Sequence, residues 1–279
     1  MKRVEPLHLA HLFPELDRWL LEFLRKLTPA DWERRTLAAQ WCVKDVAAHL
    51  LDNNIGAWSI LRDGYRGEKY SGSDSYDDLV VFLNKLNADW VRAFRRVSPA
   101  VLTDLLEMTG RPFCEYMQSL DPTATAAISV AWAGESESQN WFHVAREYTE
   151  KWHHQQQIRL ATGDDGVLMA DRFYLPYLDT SMRALPHHYR SVNAAPGTII
   201  QFTVSGLHSA RWYLVRVNNR WELYAECDAD ASCSVDIDKS VAWRIFTKGI
   251  SASEAQSFIH VKGEQKLGNH VLGMIAVMA

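Results

Sequence analysis

With 279 residues, 47% of them hydrophobic, the chain has enough apolar side chains to bury one large core or two ordinary ones, which argues against disorder as its resting state. Its 30 basic and 34 acidic residues give a formal net charge of −4 and are spread along the whole length, so no basic face is offered to a phosphate backbone and nucleic acid is not expected as a partner. Residues 1–14 are interrupted by Glu5, His8, His11 and Pro14 and lack the apolar run of a signal peptide, and no later window approaches the ~18 apolar residues of a membrane span, so a soluble, cytoplasmic protein is expected.

In chain order, Leu16, Trp19, Leu20, Phe23, Leu24 and Leu27 fall on one face of a first helix, with Pro14 suited to its first turn. Thr28-Pro29-Ala30-Asp31 reads as a cap and a short turn, and after Trp41 a second stripe of Val43, Val46, Ala47, Leu50 and Leu51 begins. Gly64, Gly67, Ser71, Gly72 and Ser73 predict a loop. A third helix carries Leu79, Phe82, Leu83, Leu86, Trp90 and Phe94, and Pro112 and Pro122 then mark irregular structure. A fourth helix is expected over 138–161, ending at Gly163, where the left-handed conformation is available.

Beyond Gly163 a helix over 172–185 leads into a change of period. Residues 198–204, 211–217 and 221–224 are rich in β-branched and aromatic side chains and predict strands, with Asn218-Asn219 as a turn. Residues 240–246 and 267–277 read as helices, with 258–261 as a strand between them. The fold class is therefore α plus α+β, with a helical domain over 1–165 and a smaller α+β domain over 166–279 that opens on a helix. Cys42, Cys114, Cys227 and Cys233 form no Cys-x-x-Cys pair and are expected to be reduced and packed.

On the fourth helix His143, Glu147, Glu150 and His154 stand at i, i+4, i+7 and i+11, one polar stripe on a helix that also carries Trp141, Phe142, Val144, Tyr148 and Trp152 and so must be largely enclosed. A carboxylate and an imidazole four apart can converge on one ion, and facing helices of a bundle are a known way to hold metals. His49 interrupts the apolar run Val46-Ala47-Ala48-His49-Leu50-Leu51 and is the candidate for a third ligand. Taken singly, each of these signals is also explained by a hydrogen-bonded core histidine or by ordinary i,i+4 pairing.

The flanking residues join them. Trp41-Cys42-Val43-Lys44-Asp45-Val46-Ala47-Ala48-His49-Leu50, followed by Glu150-Lys151-Trp152-His153-His154 and Gln157-Ile158-Arg159-Leu160-Ala161-Thr162-Gly163, resembles the mycothiol-dependent maleylpyruvate isomerase family of the DinB-like superfamily. Leu27-Thr28-Pro29-Ala30-Asp31-Trp32 looks like the family's opening. Ala242-Trp243-Arg244-Ile245-Phe246-Thr247-Lys248-Gly249, Val261-Lys262-Gly263 and Leu267-Gly268 are similar to its sterol-carrier-like C-terminal domain. The resemblance implies a DinB-like four-helix bundle followed by that smaller domain. It also implies His49, Glu150 and His154 as ligands of a divalent metal, zinc first and nickel second, and a low-molecular-weight thiol such as mycothiol or bacillithiol as cofactor.

Three protein ligands leave a coordination position open, as in catalytic rather than structural sites. A thiol entering it would be deprotonated and could act on a small electrophile by isomerisation or transfer. His153, His143 and Glu147 are candidates for proton transfer. Arg244 is the last arginine of the chain, whereas the resemblance implies an arginine from the C-terminal domain in the isomerases; Lys262 and Lys266 carry charge in that region but lack the guanidinium fork. Two other readings stay open: a metal-dependent hydrolase with Glu147 as base, and a carrier of an apolar ligand in the α+β domain, where Trp212, Tyr213, Trp221 and Tyr224 cluster.

Overall fold

Short polar residues set where the helices begin. In the computed structural model, which describes residues 1–72, 75–207 and 210–278, α1 (Phe13–Leu24) has Pro14 in its first turn. Thr28 and Asp31 bond reciprocally around the start of α2 (Pro29–Trp32), satisfying two backbone N–H groups at once. α3 (Val43–Gly56) begins where the Cys42 N–H donates to Asp45 Oδ2 at 3.2 Å, and it runs on into a π-helical segment, Ala57–Arg62. Ser75 and Ser98 accept backbone N–H groups at the starts of α4 (Tyr76–Phe94) and α5 (Pro99–Ser119). α6 (Asn140–Thr162) stops at Gly163, whose φ of 83° is the left-handed conformation expected there. Ser73 of the expected loop lies outside the described residues.

The region around Pro112, expected to be irregular, is instead the second half of α5. Pro112 removes one helical N–H, and the carbonyl it would have served belongs to Met108, which is 63% exposed and so stands where water can replace the bond. Two residues before Pro112, Gly110 lets α1 approach: a Cβ there would collide with the Asp17 carboxylate. α3 packs against α4, α5 and α6, and α1 against α5 and α6, so the bundle is α1, α3, α5 and α6 with α4 laid on α3. Its apolar filling includes Leu20, Leu24, Val46, Leu50, Leu102, Leu106 and Ile158, each almost fully buried and contributing about 1.5–3 kcal/mol by removal from water.

After α7 (Asp171–Ser181) and α8 (Leu185–His188) the chain forms a six-stranded sheet. Its strands are β1 (Lys2–Arg3), β2 (Ile199–Ser205), β3 (Arg211–Val217), β4 (Arg220–Glu226), β5 (Cys233–Asp238) and β6 (Ile259–Gly263), in the order β1-β4-β3-β2-β5-β6. All neighbours are antiparallel except β2 and β5. Neither β5 nor β1 is among the expected strands. The chain's second and third residues thus close the sheet's edge, with Arg3 bonded to Glu222 at 2.6 Å. α9 (Lys239–Phe246), α10 (Ala252–Ala255) and α11 (Gln265–Asn269) complete the α+β part. The helix expected over 267–277 is only α11 and a 3-10 turn, His270–Gly273. Gly268 and Gly273 weaken helix continuation, and the Ala276 N–H leaves the helical pattern to donate to the Phe246 carbonyl.

Alternation along the strands separates two faces. Ile200, Phe202, Trp212, Leu214, Trp221, Leu223, Val235 and Ile237 point into a core shared with Phe13, Tyr148 and Trp152 of the bundle. Tyr213 and Tyr224, opposite each other in register, pack on the outer face with Ile199 and Val215. The aromatics considered for an apolar carrier are thus packed, and the Trp212 and Trp221 indoles donate to Asp179 and to the Val192 carbonyl. The joint between bundle and sheet is Trp152, stacked on Tyr177 at 4.2 Å and Tyr174 at 5.0 Å and set edge-on to Trp243. Tyr174 donates to the Lys239 carbonyl and accepts the Trp243 N–H, tying α7 to α9. No helix among the described residues is long and apolar enough to cross a membrane.

Because Trp152 is fully buried between elements from both halves, Trp152→Ala should lower the unfolding free energy by about 3–5 kcal/mol in urea titrations. A loss below about 1 kcal/mol would mean that the joint collapses to refill the space.

Candidate metal centre

α3 and α6 lie side by side in opposite directions, and this brings His49 from one to Glu150 and His154 of the other. One candidate ligand atom from each of the three lies within 4.8 Å of the other two, and all three residues are buried or nearly so. Trp41, just before α3, covers the His49 ring at a centroid distance of 5.1 Å, and the His49 and His154 rings meet edge to face at 4.7 Å.

The hydrogen bonds show what this cluster lacks. The Gln157 side-chain oxygen accepts from His154 Nδ1 at 3.0 Å, which places the proton there and leaves Nε2 as a lone pair. That lone pair faces Glu150 Oε2 at 3.4 Å, an acceptor against an acceptor. His49 Nδ1 is buried with no hydrogen-bond partner among the described residues. A neutral imidazole opposite a carboxylate, with a second unpartnered imidazole beside it, fits a cation between them, and two nitrogens with one carboxylate oxygen are a ligand set that zinc accepts. Gln157, three residues beyond His154, stands where an outer partner would fix the tautomer of a ligating histidine.

Charge states agree with this geometry. Burial, reinforced by His154, pushes His49 down to about 3, so it is neutral at any ordinary pH. Burial alone would raise the Glu150 acid, but the imidazoles packed beside it, His154 first, and the charge of Arg146 hold it at about 2. Glu150 is therefore a carboxylate and the two histidine nitrogens are available as donors to an ion.

The remaining sequence candidates fall around this cluster. His153 is buried beside His154, ring centroids 3.9 Å apart, and its Nδ1 donates to the Thr149 carbonyl. Glu147, one turn before Glu150, pairs with Arg146 Nη2 at 2.6 Å, and burial raises its acid. His143 accepts from the same Arg146 Nη2 through Nδ1 at 2.9 Å, since a guanidinium can only donate; its Nε2 is buried without a partner. Arg244, in the last turn of α9, is half-buried, with Nε donating to the Gly249 carbonyl at 3.4 Å; Gly249 in turn lies against Leu37. Sequence reasoning passed over Arg146, Gln157 and Asp52 as site residues. Their signal is periodic: Arg146 precedes Glu150 by four residues, Gln157 follows His154 by three, and Asp52 follows His49 by three.

His143 provides a pH signature separable from the candidate ligands. Its folded-state value is about 3, against 6.5 when free, because burial and Arg146 disfavour the charged ring. Between these values the unfolded chain binds the proton and the folded one does not, so this histidine's stabilising effect is present above pH 6.5 and fades as pH falls. His143→Gln should therefore gain on wild type by up to about 1.4 kcal/mol per pH unit from pH 6 to pH 4 in urea titrations. A pH-independent difference would show that the ring titrates normally.

Comparison with known proteins fits this architecture. The family described as mycothiol maleylpyruvate isomerase N-terminal domain matches residues 13–159, more than half of the chain, and those bounds contain His49, Glu150 and His154. Two solved structures superpose on it over 95% of this chain and 97% of theirs. They are the mycothiol-dependent maleylpyruvate isomerase, with TM-score 0.53 and 13% identity, and a histidine-to-alanine mutant of it, with TM-score 0.52 and 12% identity. At these identities the likeness is one of fold, and it runs nearly end to end. No curated protein matches the chain. The chain belongs to the mycothiol maleylpyruvate isomerase N-terminal domain family.

Proposed function

We propose that the protein is a metal-dependent enzyme that uses a low-molecular-weight thiol, of the mycothiol or bacillithiol kind, for isomerisation or sulfur transfer on a small electrophile. The observation that carries this reading is the contact between the His154 lone pair and the Glu150 carboxylate, with the unpartnered His49 nitrogen beside it. His49, Glu150 and His154 would hold the ion, zinc before nickel for this mixed nitrogen and oxygen set. When bound by three protein groups, such an ion keeps a position open and acidifies a thiol that enters it. The names of the family and of the similar structures, which speak of mycothiol dependence, favour a thiol there over water.

The chain's own residues then set the conditions. Burial pushes the Cys114 thiol up to about 12 and also raises Cys42 and Cys233, so these offer no thiolate near neutral pH, consistent with a nucleophile brought from outside. Gln157 keeps the His154 lone pair aimed at Glu150. His153, with Nδ1 committed to Thr149, has its other nitrogen to accept a proton, and Glu147 with its raised acid can hold one. Arg244, held at Gly249 against the segment that leads to Trp41, completes the groups proposed to act on substrate. In this reading residues 1–165 bind the ion and the thiol, and residues 166–279 support them and supply Arg244 toward substrate.

Elemental analysis should find one divalent ion per chain in wild type and little in His154→Ala, while Gln157→Leu should weaken the ion's affinity about 10–100-fold. With cobalt in the site, a small thiol should produce a sulfur-to-metal absorption band in wild type only. Equal occupancy in His154→Ala, or turnover that needs the ion but no thiol, would replace this reading, the latter with a hydrolase.

A further inference from the structure

The two candidate imidazole ligands are held in different ways. His154 has the Gln157 side-chain oxygen as an outer partner, whereas neither ring nitrogen of His49 makes a hydrogen bond among the described residues. A ligating histidine is ordinarily oriented by the hydrogen bond of its other nitrogen, and without one its ring can turn about the side-chain torsions. What the His49 ring meets instead is two other rings: Trp41 at 5.1 Å, with the planes 46° apart, and His154 edge-on at 4.7 Å. His154 is itself a candidate ligand, so Trp41 is the neighbour that can fix the ring from outside the cluster.

The position of Trp41 is not set by α3, which begins two residues later. It is set by a tight hairpin over 34–43, whose arms meet at a bridge between Arg35 and Cys42. The Thr36 N–H and hydroxyl both donate to the Trp41 carbonyl, at 3.1 and 3.0 Å. The Trp41 N–H returns to the Ala38 carbonyl at 2.8 Å, and the Val43 N–H reaches the Arg34 carbonyl at 3.0 Å. With its backbone groups paired in this way the hairpin moves as a unit, so Trp41 follows its tip. The tip lies on the other half of the molecule. Leu37 packs against the core shared with the sheet, while Trp41, four residues on, packs against the core of the bundle. Leu37 also lies so close to Gly249, three residues beyond α9, that a Cβ there would stand 3.2 Å from its methyl group.

We propose that Trp41 is the positioning residue for His49, and that the α+β part, by holding the hairpin at Leu37, sets the geometry of a metal centre whose ligands all lie in the bundle. The inference rests on the reading of His49, Glu150 and His154 as metal ligands given above, and adds how the ligand that lacks a polar partner is oriented. Trp41 acts through His49 and Leu37 through Trp41.

The test uses the full chain as wild type, Trp41→Phe, Trp41→Ala and Leu37→Ala, with two measurements near neutral pH. In metal-free protein, carbon–proton correlation spectra of the histidine rings follow His49, whose signal is identified by its loss in His49→Gln. Wild type and Trp41→Phe are expected to show one sharp, upfield-displaced His49 signal, and Trp41→Ala a signal broadened or split between ring orientations. Cobalt titration followed by visible absorption is expected to show an affinity about tenfold or more below wild type in Trp41→Ala, within about threefold of it in Trp41→Phe, and between the two in Leu37→Ala. A single sharp His49 signal or an undiminished cobalt affinity in Trp41→Ala would overturn the role of Trp41. Cobalt binding by Trp41→Phe as weak as by Trp41→Ala would overturn orientation by an aromatic face, and Leu37→Ala indistinguishable from wild type in both measurements would overturn the part played by the α+β half. Leu37→Ala, a small change at the hairpin tip, decides the matter if Trp41→Ala does not fold. Absence of cobalt uptake by wild type would instead overturn the metal reading, while the metal-free ring spectra still decide whether Trp41 fixes His49.

Discussion

A long helix buried along its polar side imposes the main constraint on this molecule. Each buried polar atom left without a partner costs about 1–3 kcal/mol, and α6 brings histidines, glutamines, arginines, a lysine and carboxylates out of water together. Most are answered. Lys151 bonds to Asn54 and lies 4.3 Å from the Phe113 ring centre. Arg159 reaches the Trp19 carbonyl and Asp164 and sits over Phe23. Gln156 donates to Asp165, and the Trp152 indole to Leu168. The arrangement of α1, α3, α5 and α7 around α6 can be read as the set of placements that meets these demands.

Against that background the unanswered atoms acquire meaning. Among the described residues His49 Nδ1, His143 Nε2 and Arg146 Nε have no partner and belong to residues around one short stretch where α3 meets α6, while Gln156 Oε1, farther along α6, is also unmatched. Interiors rarely leave such groups unmatched unless something else satisfies them. The same helix turns its other side to Trp152 and the aromatic joint, so the residues with unmatched atoms and those that fasten bundle to sheet alternate within one or two positions.

The sequence made the long elements legible because their apolar side chains keep strict helical or alternating spacing, as in α1, α3 and β3. It also brought out His49, Glu150 and His154, since polar residues in apolar runs demand a reason, although their union depended on a family pattern rather than on spacing. α5 was hidden by Pro112, a local signal overridden by packing against α1 and α3. β1 has two charged residues and exists only because β4 offers it an edge. Arg146 was hidden for a different reason: an arginine next to a glutamate on a helix reads as a solvated pair, and only burial distinguishes this one.

The edge strand has a consequence for how the chain is made. Lys2 and Arg3 are synthesised more than two hundred residues before their partners, Glu226 and Tyr224. The two residues of β1 must therefore wait for β4 while the bundle helices between them are made. Closure of the sheet's edge is thus a late event that joins an early segment to one made long after it, and until then β4 presents an open ladder to any other extended strand nearby.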